Sequence, residues 1–107
     1  MAYYLVQGTY APETWAGLVK SPQDRTGAWN TVMERLGGSV VGFWLTVGEA
    51  DLVSVVNLPD NVSAVSASLA ANAGGAIQSI KTTPLLSWEG GVAAMKRAND
   101  AGYRPPS

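Results

Sequence analysis

Two glycine pairs, Gly37-Gly38 and Gly74-Gly75, punctuate the 107-residue chain in the same way: each follows a stretch with helical apolar spacing and precedes a β-branched run. Glycine takes the left-handed backbone that ends a helix at no steric cost, so each pair marks a helix stop and a strand start. Each of the two helices is in turn preceded by a strand-like run. A unit of strand, helix, Gly-Gly and strand therefore occurs twice, and this repeat restricts the fold more than any other feature. Two right-handed β-α-β crossovers that interleave give a four-stranded antiparallel sheet with its helices on one face.

The residues fill in that frame. Residues 3–10 favour a strand through Tyr, Leu, Val and Thr, and Pro12 ends it. Pro12 and Glu13 open a short helix to about Lys20, with Trp15, Leu18 and Val19 at i, i+3 and i+4 directed at the sheet. Ser21-Pro22-Gln23-Asp24 reads as a cap, a first-turn proline and a first-turn acid for a second helix, lined by Trp29, Val32, Met33 and Leu36. Runs 39–47 and 51–58, joined by Gly48-Glu49-Ala50, are the strongest hairpin signal. Asp60 caps a helix with Val62, Val65 and Leu69 at i, i+3 and i+7, and residues 76–85 form the fourth strand. Residues 87 to about 101 form a terminal helix with Trp88, Val92 and Met95 on one side, and residues 103–107 an extended tail that Pro105 and Pro106 keep from becoming helical. The expected fold is thus α+β, a ferredoxin-like β-α-β-β-α-β sheet with an additional C-terminal helix. One domain is expected to span residues 1–107.

Composition narrows the chemistry. With neither His nor Cys, zinc-thiolate, iron–sulfur, haem-histidine, Cys-His and Ser-His chemistry are excluded within this chain, and no cofactor or metal site is expected. An acid or base must be a shifted carboxylate, a lysine or a tyrosine. Seven basic against eight acidic residues leave a net charge of -1, which offers no positive field for nucleic acid. No apolar run is long enough for a membrane span and the first residues lack a signal-peptide pattern, so a cytoplasmic location with no membrane partner is expected.

Charged residues make up only 14% of the chain against about 25% in ordinary domains, which indicates surface meant for burial. Strict alternation along 40–47 places Val41, Phe43, Leu45 and Val47 on one side and Val40 and Trp44 on the other, while Val53 and Val55 oppose Leu52 and Val56. Both sheet faces then carry large apolar groups, although helices cover only one. A homodimer or higher homo-oligomer through the apolar sheet face is the expected partner; the alternative is that the terminal helix folds back over that face. The Ala/Ser-rich stretch 63–71 adds a small-residue side able to admit another helix closely, or to pack tightly in the core.

Taken in order, Tyr3-Tyr4-Leu5-Val6, Thr9-Tyr10, Trp15, Lys20-Ser21-Pro22-Gln23-Asp24-Arg25, Leu36-Gly37-Gly38, Phe43-Trp44, Gly48-Glu49-Ala50-Asp51, Pro59-Asp60, Gly74-Gly75-Ala76, Lys81-Thr82-Thr83-Pro84-Leu85 and Tyr103-Arg104-Pro105-Pro106 resemble a GYD-domain protein over nearly the whole chain. The resemblance implies a ferredoxin-like domain of the dimeric α/β-barrel type, of bacterial origin, and implies no particular activity. The family's Gly-Tyr-Asp tyrosine corresponds to Ala50 here, so a role resting on that aromatic does not carry over.

The candidate chemistry is sparse. Glu49 and Asp51 would share a face if extended, enough for a raised-pKa acid or a cation contact, whereas Asp51 at a turn can instead accept backbone N–H bonds. Tyr10, Asp51 and Lys81 are the catalytic candidates. Tyr4, Tyr10, Trp44 and Arg25 are the ligand-binding candidates, with Trp15 and Trp29 able to join an aromatic pocket or simply to be core. Arg25 and Lys81 could hold an acidic ligand, or be a helix-start and an edge-strand cation. Three functions fit: an oligomeric protein binding a small apolar or aromatic molecule, a cofactor-independent isomerase or monooxygenase, and a structural assembly subunit.

Overall fold

The computed structural model describes residues 1–106. Among these the chain runs β1 (Ala2–Tyr10), α1 (Pro12–Lys20), α2 (Thr26–Arg35), β2 (Ser39–Leu45), β3 (Leu52–Leu58), α3 (Asn61–Ala73), β4 (Ile77–Leu85) and α4 (Trp88–Ala101). The strands lie in the order β2-β3-β1-β4 and every neighbouring pair is antiparallel. This is the interleaved double β-α-β of a ferredoxin-like fold. Its repeat has a backbone signature, since Gly37 and Gly75 adopt φ of 82° and 78° at the two helix exits. Of the expected tail, residues 103–106 carry no helix or strand, and Ser107 lies outside the described residues.

β1 and β3 are the central strands, and alternate residues bury against the helices: Tyr4, Val6 and Tyr10 from β1, and Leu52, Ser54, Val56 and Leu58 from β3. Where β1 begins and β3 ends, Tyr4 faces Val56 across the ladder, and Met33 of α2 and Ala64 and Ala67 of α3 close over them. Met33 and Val56 have no exposed surface. Each such large side chain contributes about 1.5–3 kcal/mol by leaving water. The Tyr4 hydroxyl donates to Asn61 Oδ1 at 2.7 Å, satisfying a polar group at the edge of this core.

Several expectations from sequence are corrected. The second helix begins at Thr26, not near Ser21, because the Asp24 carboxylate accepts the Thr26 N–H at 2.9 Å in a local turn and Ser21 belongs to the end of α1. Strict alternation fails in β2, where the register shifts between Val40 and Gly42. That bulge puts Val40, Phe43 and Leu45 on the helix-covered side and Gly42 and Trp44 on the open side. Val47 lies beyond the strand and is fully exposed. In α1, Trp15 and Leu18 are half-buried but Val19 is exposed.

α3 takes the tight core packing, one of the two readings of its Ala/Ser-rich stretch. Its small-residue side faces the sheet, with Ala64 and Ala67 buried and the Ser68 hydroxyl 2.8 Å from the Thr82 hydroxyl on β4. Val62, Val65 and Leu69, at i, i+3 and i+7, point outward. The Asp60 cap follows the sequence, accepting the Ser63 N–H at 2.8 Å, and Ser87 caps α4 by accepting the Gly90 N–H at 3.0 Å.

The sheet face opposite the helices carries Tyr3, Leu5, Val53, Val55 and Trp44 toward its middle and β2 side, and Ser79, Lys81 and Thr83 along β4. Tyr3 and Trp44 are 51% and 56% exposed. α4 does not fold back over this face and packs along no other element. Among the described residues no helix is long and apolar enough to cross a membrane.

Candidate functional site

Toward the end of β1 and the start of β3 the helices part instead of closing. Between α1 and α2 on one side and α3 on the other lies a hollow of about 530 Å³, open to solvent. It exists in part because several residues bordering it from the helices are small: Gly17, Ala28, Ala70 and Ala71, with Gly74 just after α3, provide little volume where Met33 fills the other end. Gly8 of β1 likewise leaves the floor bare. The apolar lining comes from Val6, Leu18, Trp29, Val32, Phe43, Leu52, Ile77 and Ile80. Ligand pockets commonly measure about 300–1,000 Å³ and combine such a lining with a few polar groups.

The aromatic wall is held by hydrogen bonds. Trp29 Nε1 donates to Ser54 Oγ at 3.0 Å, and that hydroxyl donates to the Gly42 carbonyl at 2.7 Å, so this buried hydroxyl is fully engaged. The Trp29 ring is tilted at 46° to Phe43 with centroids 6.0 Å apart. At the neighbouring corner, Tyr10 meets Trp15 edge to face, with ring centroids 5.2 Å apart. Asp51 Oδ2 ties this corner together by accepting the Tyr10 N–H at 3.0 Å and the Trp15 indole N–H at 3.1 Å. The hairpin tip is closed beside it, with the Thr46 hydroxyl donating to the Ala50 carbonyl at 2.6 Å.

Of the residues singled out from sequence, the structure brings Tyr10, Trp29 and Arg25 to the hollow, Arg25 with Glu13 and Gln23 as exposed polar groups on its border. Tyr10, Trp15, Arg25 and Trp44 also border an adjoining smaller hollow of about 330 Å³. Tyr4 belongs to the closed core instead. Lys81 stands on the opposite sheet face, across from Gln7, and is exposed. Tyr10, Asp51 and Lys81 therefore do not converge on one point, and one Asp51 oxygen already holds two donors. Glu49 is exposed and does not join Asp51 at the Tyr10–Trp15 corner.

Sequence reasoning places Leu18, Val32 and Phe43 in apolar stripes and the α3 alanines on a small-residue side, passes over Ser54, and reads none of them as part of a pocket. The signal was the cluster of small residues at Gly17, Ala28, Ala70 and Ala71, which acquires meaning only when the strands bring these positions together. Asp24, bordering the smaller hollow, has its carboxyl held below the usual range by the Thr26 backbone N–H. The arrangement suits a flat apolar body against Trp29, Phe43 and Ile80 with a polar end toward Gln23 and Arg25.

No curated protein matches the sequence. The family model for the GYD domain matches residues 4–95, from within β1 to the middle of α4. With its ferredoxin-like sheet and its match over most of its length, the chain belongs to the GYD domain family.

Proposed function

We propose that this GYD-domain protein acts as a homo-oligomer that binds a small apolar or aromatic molecule in the hollow between its sheet and helices. The observation that carries this reading is the hollow itself: about 530 Å³, lined by Trp29, Phe43, Val32 and Ile80, with a polar border at Arg25 and Gln23. Self-association through the open sheet face is supported by Tyr3, Trp44, Leu5, Val53 and Val55, an apolar surface that a two-fold partner would cover. Binding is favoured over acid–base catalysis because the candidate groups lie on different faces of the sheet.

A planar aromatic acid such as 2-naphthoate is the direct probe. It should raise the thermal midpoint saturably, since a ligand held only by the folded state adds about 2.7 kcal/mol of stability at a hundred times its Kd. Arg25→Ala should weaken the effect, and Ala71→Leu should abolish it while leaving the fold intact. A midpoint that 2-naphthoate leaves unchanged at every concentration, or raises equally in Ala71→Leu, would contradict binding in this hollow.

A further inference from the structure

α4 is an arm without a seat on its own chain. Among its described residues only Gly90 and Gly91 are even half-buried, and Trp88 and Met95 are 84% and 59% exposed. A 14-residue helix spans about 21 Å, and one with two glycines is marginal in water unless its apolar side is packed. Its first turn is held where it leaves the sheet. Leu86 lies against Gly90, where an added Cβ would meet the Leu86 side chain at 2.8 Å, and the Ser87 hydroxyl caps the first turn by accepting the Gly90 N–H.

The projection shows in the shape of the chain. The radius of gyration is 17.2 Å where about 13 Å is usual for this length. The surface is 7585 Å² where a compact monomer of 11.2 kDa has about 5,700 Å². The excess, about 1,900 Å², is more than twice the roughly 800 Å² that each partner buries in a standard interface.

α3 carries the complementary surface. It has no charged residue in thirteen, yet its Val62, Val65 and Leu69 face outward, 57–75% exposed. These stand at i, i+3 and i+7, and Trp88, Val92 and Met95 of α4 at i, i+4 and i+7. Both are seams of two turns and equal length, of the kind that pairs helix with helix.

From this matched pair of uncovered seams we infer that α4 of one copy docks on α3 of a second copy, Trp88–Val92–Met95 against Val62–Val65–Leu69. A two-fold pair makes the contact twice. The inference rests on the self-association proposed above and not on the ligand.

The chain has no cysteine, so introduced thiols report contacts cleanly. Full-length Val65→Cys and Val92→Cys chains, coexpressed and treated with a short bis-maleimide, should yield a mixed cross-linked dimer as the main product. Each position is exposed in the single chain, so either substitution leaves the fold in place. Cross-links only between identical variants, or ring closure within one chain that carries both Val65→Cys and Val92→Cys, would overturn the docking. Native mass measured on the same samples separates the two claims. An oligomer without the mixed product overturns the arm's seat alone, whereas a monomer overturns self-association as well.

Discussion

The two ends of the helix-covered sheet face are built from the same strands with the same alternation, yet one is filled and the other hollow. At the filled end Tyr4, Val56 and Leu58 meet Met33 and the alanines Ala64 and Ala67, and nothing large is left wet. At the other, Val6, Leu52 and Ser54 look up at Gly17, Ala70 and Ala71, and about 530 Å³ stays open. The difference lies in the helices, not the sheet. α2 lowers a methionine onto one end and a tryptophan tethered to Ser54 onto the other, so the second side chain becomes a wall instead of a plug. A fold that is generic in its strands thereby gains a specific space through a few small residues on its helices.

The sharpest way to break this contrast is to make the filled end resemble the hollow one. Met33→Ala removes a side chain with no exposed surface, and should cost about 2–5 kcal/mol in urea unfolding. A loss below about 1 kcal/mol would mean that this end is not close-packed. The converse pair lies one turn apart on α3. Ala67→Leu, in the filled end, should destabilise by about 1–3 kcal/mol through overpacking. Ala71→Leu, in the hollow, should be neutral or stabilise by about 0.5–2 kcal/mol as a cavity filler. Equal effects of the two would erase the distinction.

The smallest expected effect is electrostatic. Asp60, which caps α3, has its carboxyl lowered below the ordinary 3.8 by the Ser63 backbone N–H, with a smaller contribution from the Ser63 side chain. A depressed carboxylate stabilises above its unfolded value, and that contribution is lost as pH falls below 3.8 through the folded value. Thermal midpoints of Asp60→Asn should therefore fall less steeply than those of the parent chain across this acid range. Parallel curves would show that the cap's charge is immaterial.

Much of this was legible in the sequence because it rests on local chemistry. The Gly-Gly pairs, the Asp60 cap and the hairpin each act over a few residues, and together they specify the order of elements. What was not legible depends on packing between distant segments. The bulge beyond Val40 moves Phe43 to the covered face and Trp44 to the open one, against the alternation. α3 turns its valines outward because Ala64 and Ala67 pack on the core of Tyr4, Val56 and Met33 while Ser68 bonds Thr82 of β4. Asp51 was readable as a turn acceptor, but its donors, Tyr10 and Trp15, lie 41 and 36 residues away. The hollow is an absence of side-chain volume, visible only after the helices are placed.

The most direct test of the central claim is a methyl-NMR titration of the native protein with 2-naphthoate. Val32, Ile77 and Ile80 line the hollow, while Val65 and Leu69 face outward on α3. Saturable shifts confined to the first set, and absent in Ala71→Leu, are the predicted result. Shifts that do not saturate, or that fall equally on Val65 and Leu69, would contradict it.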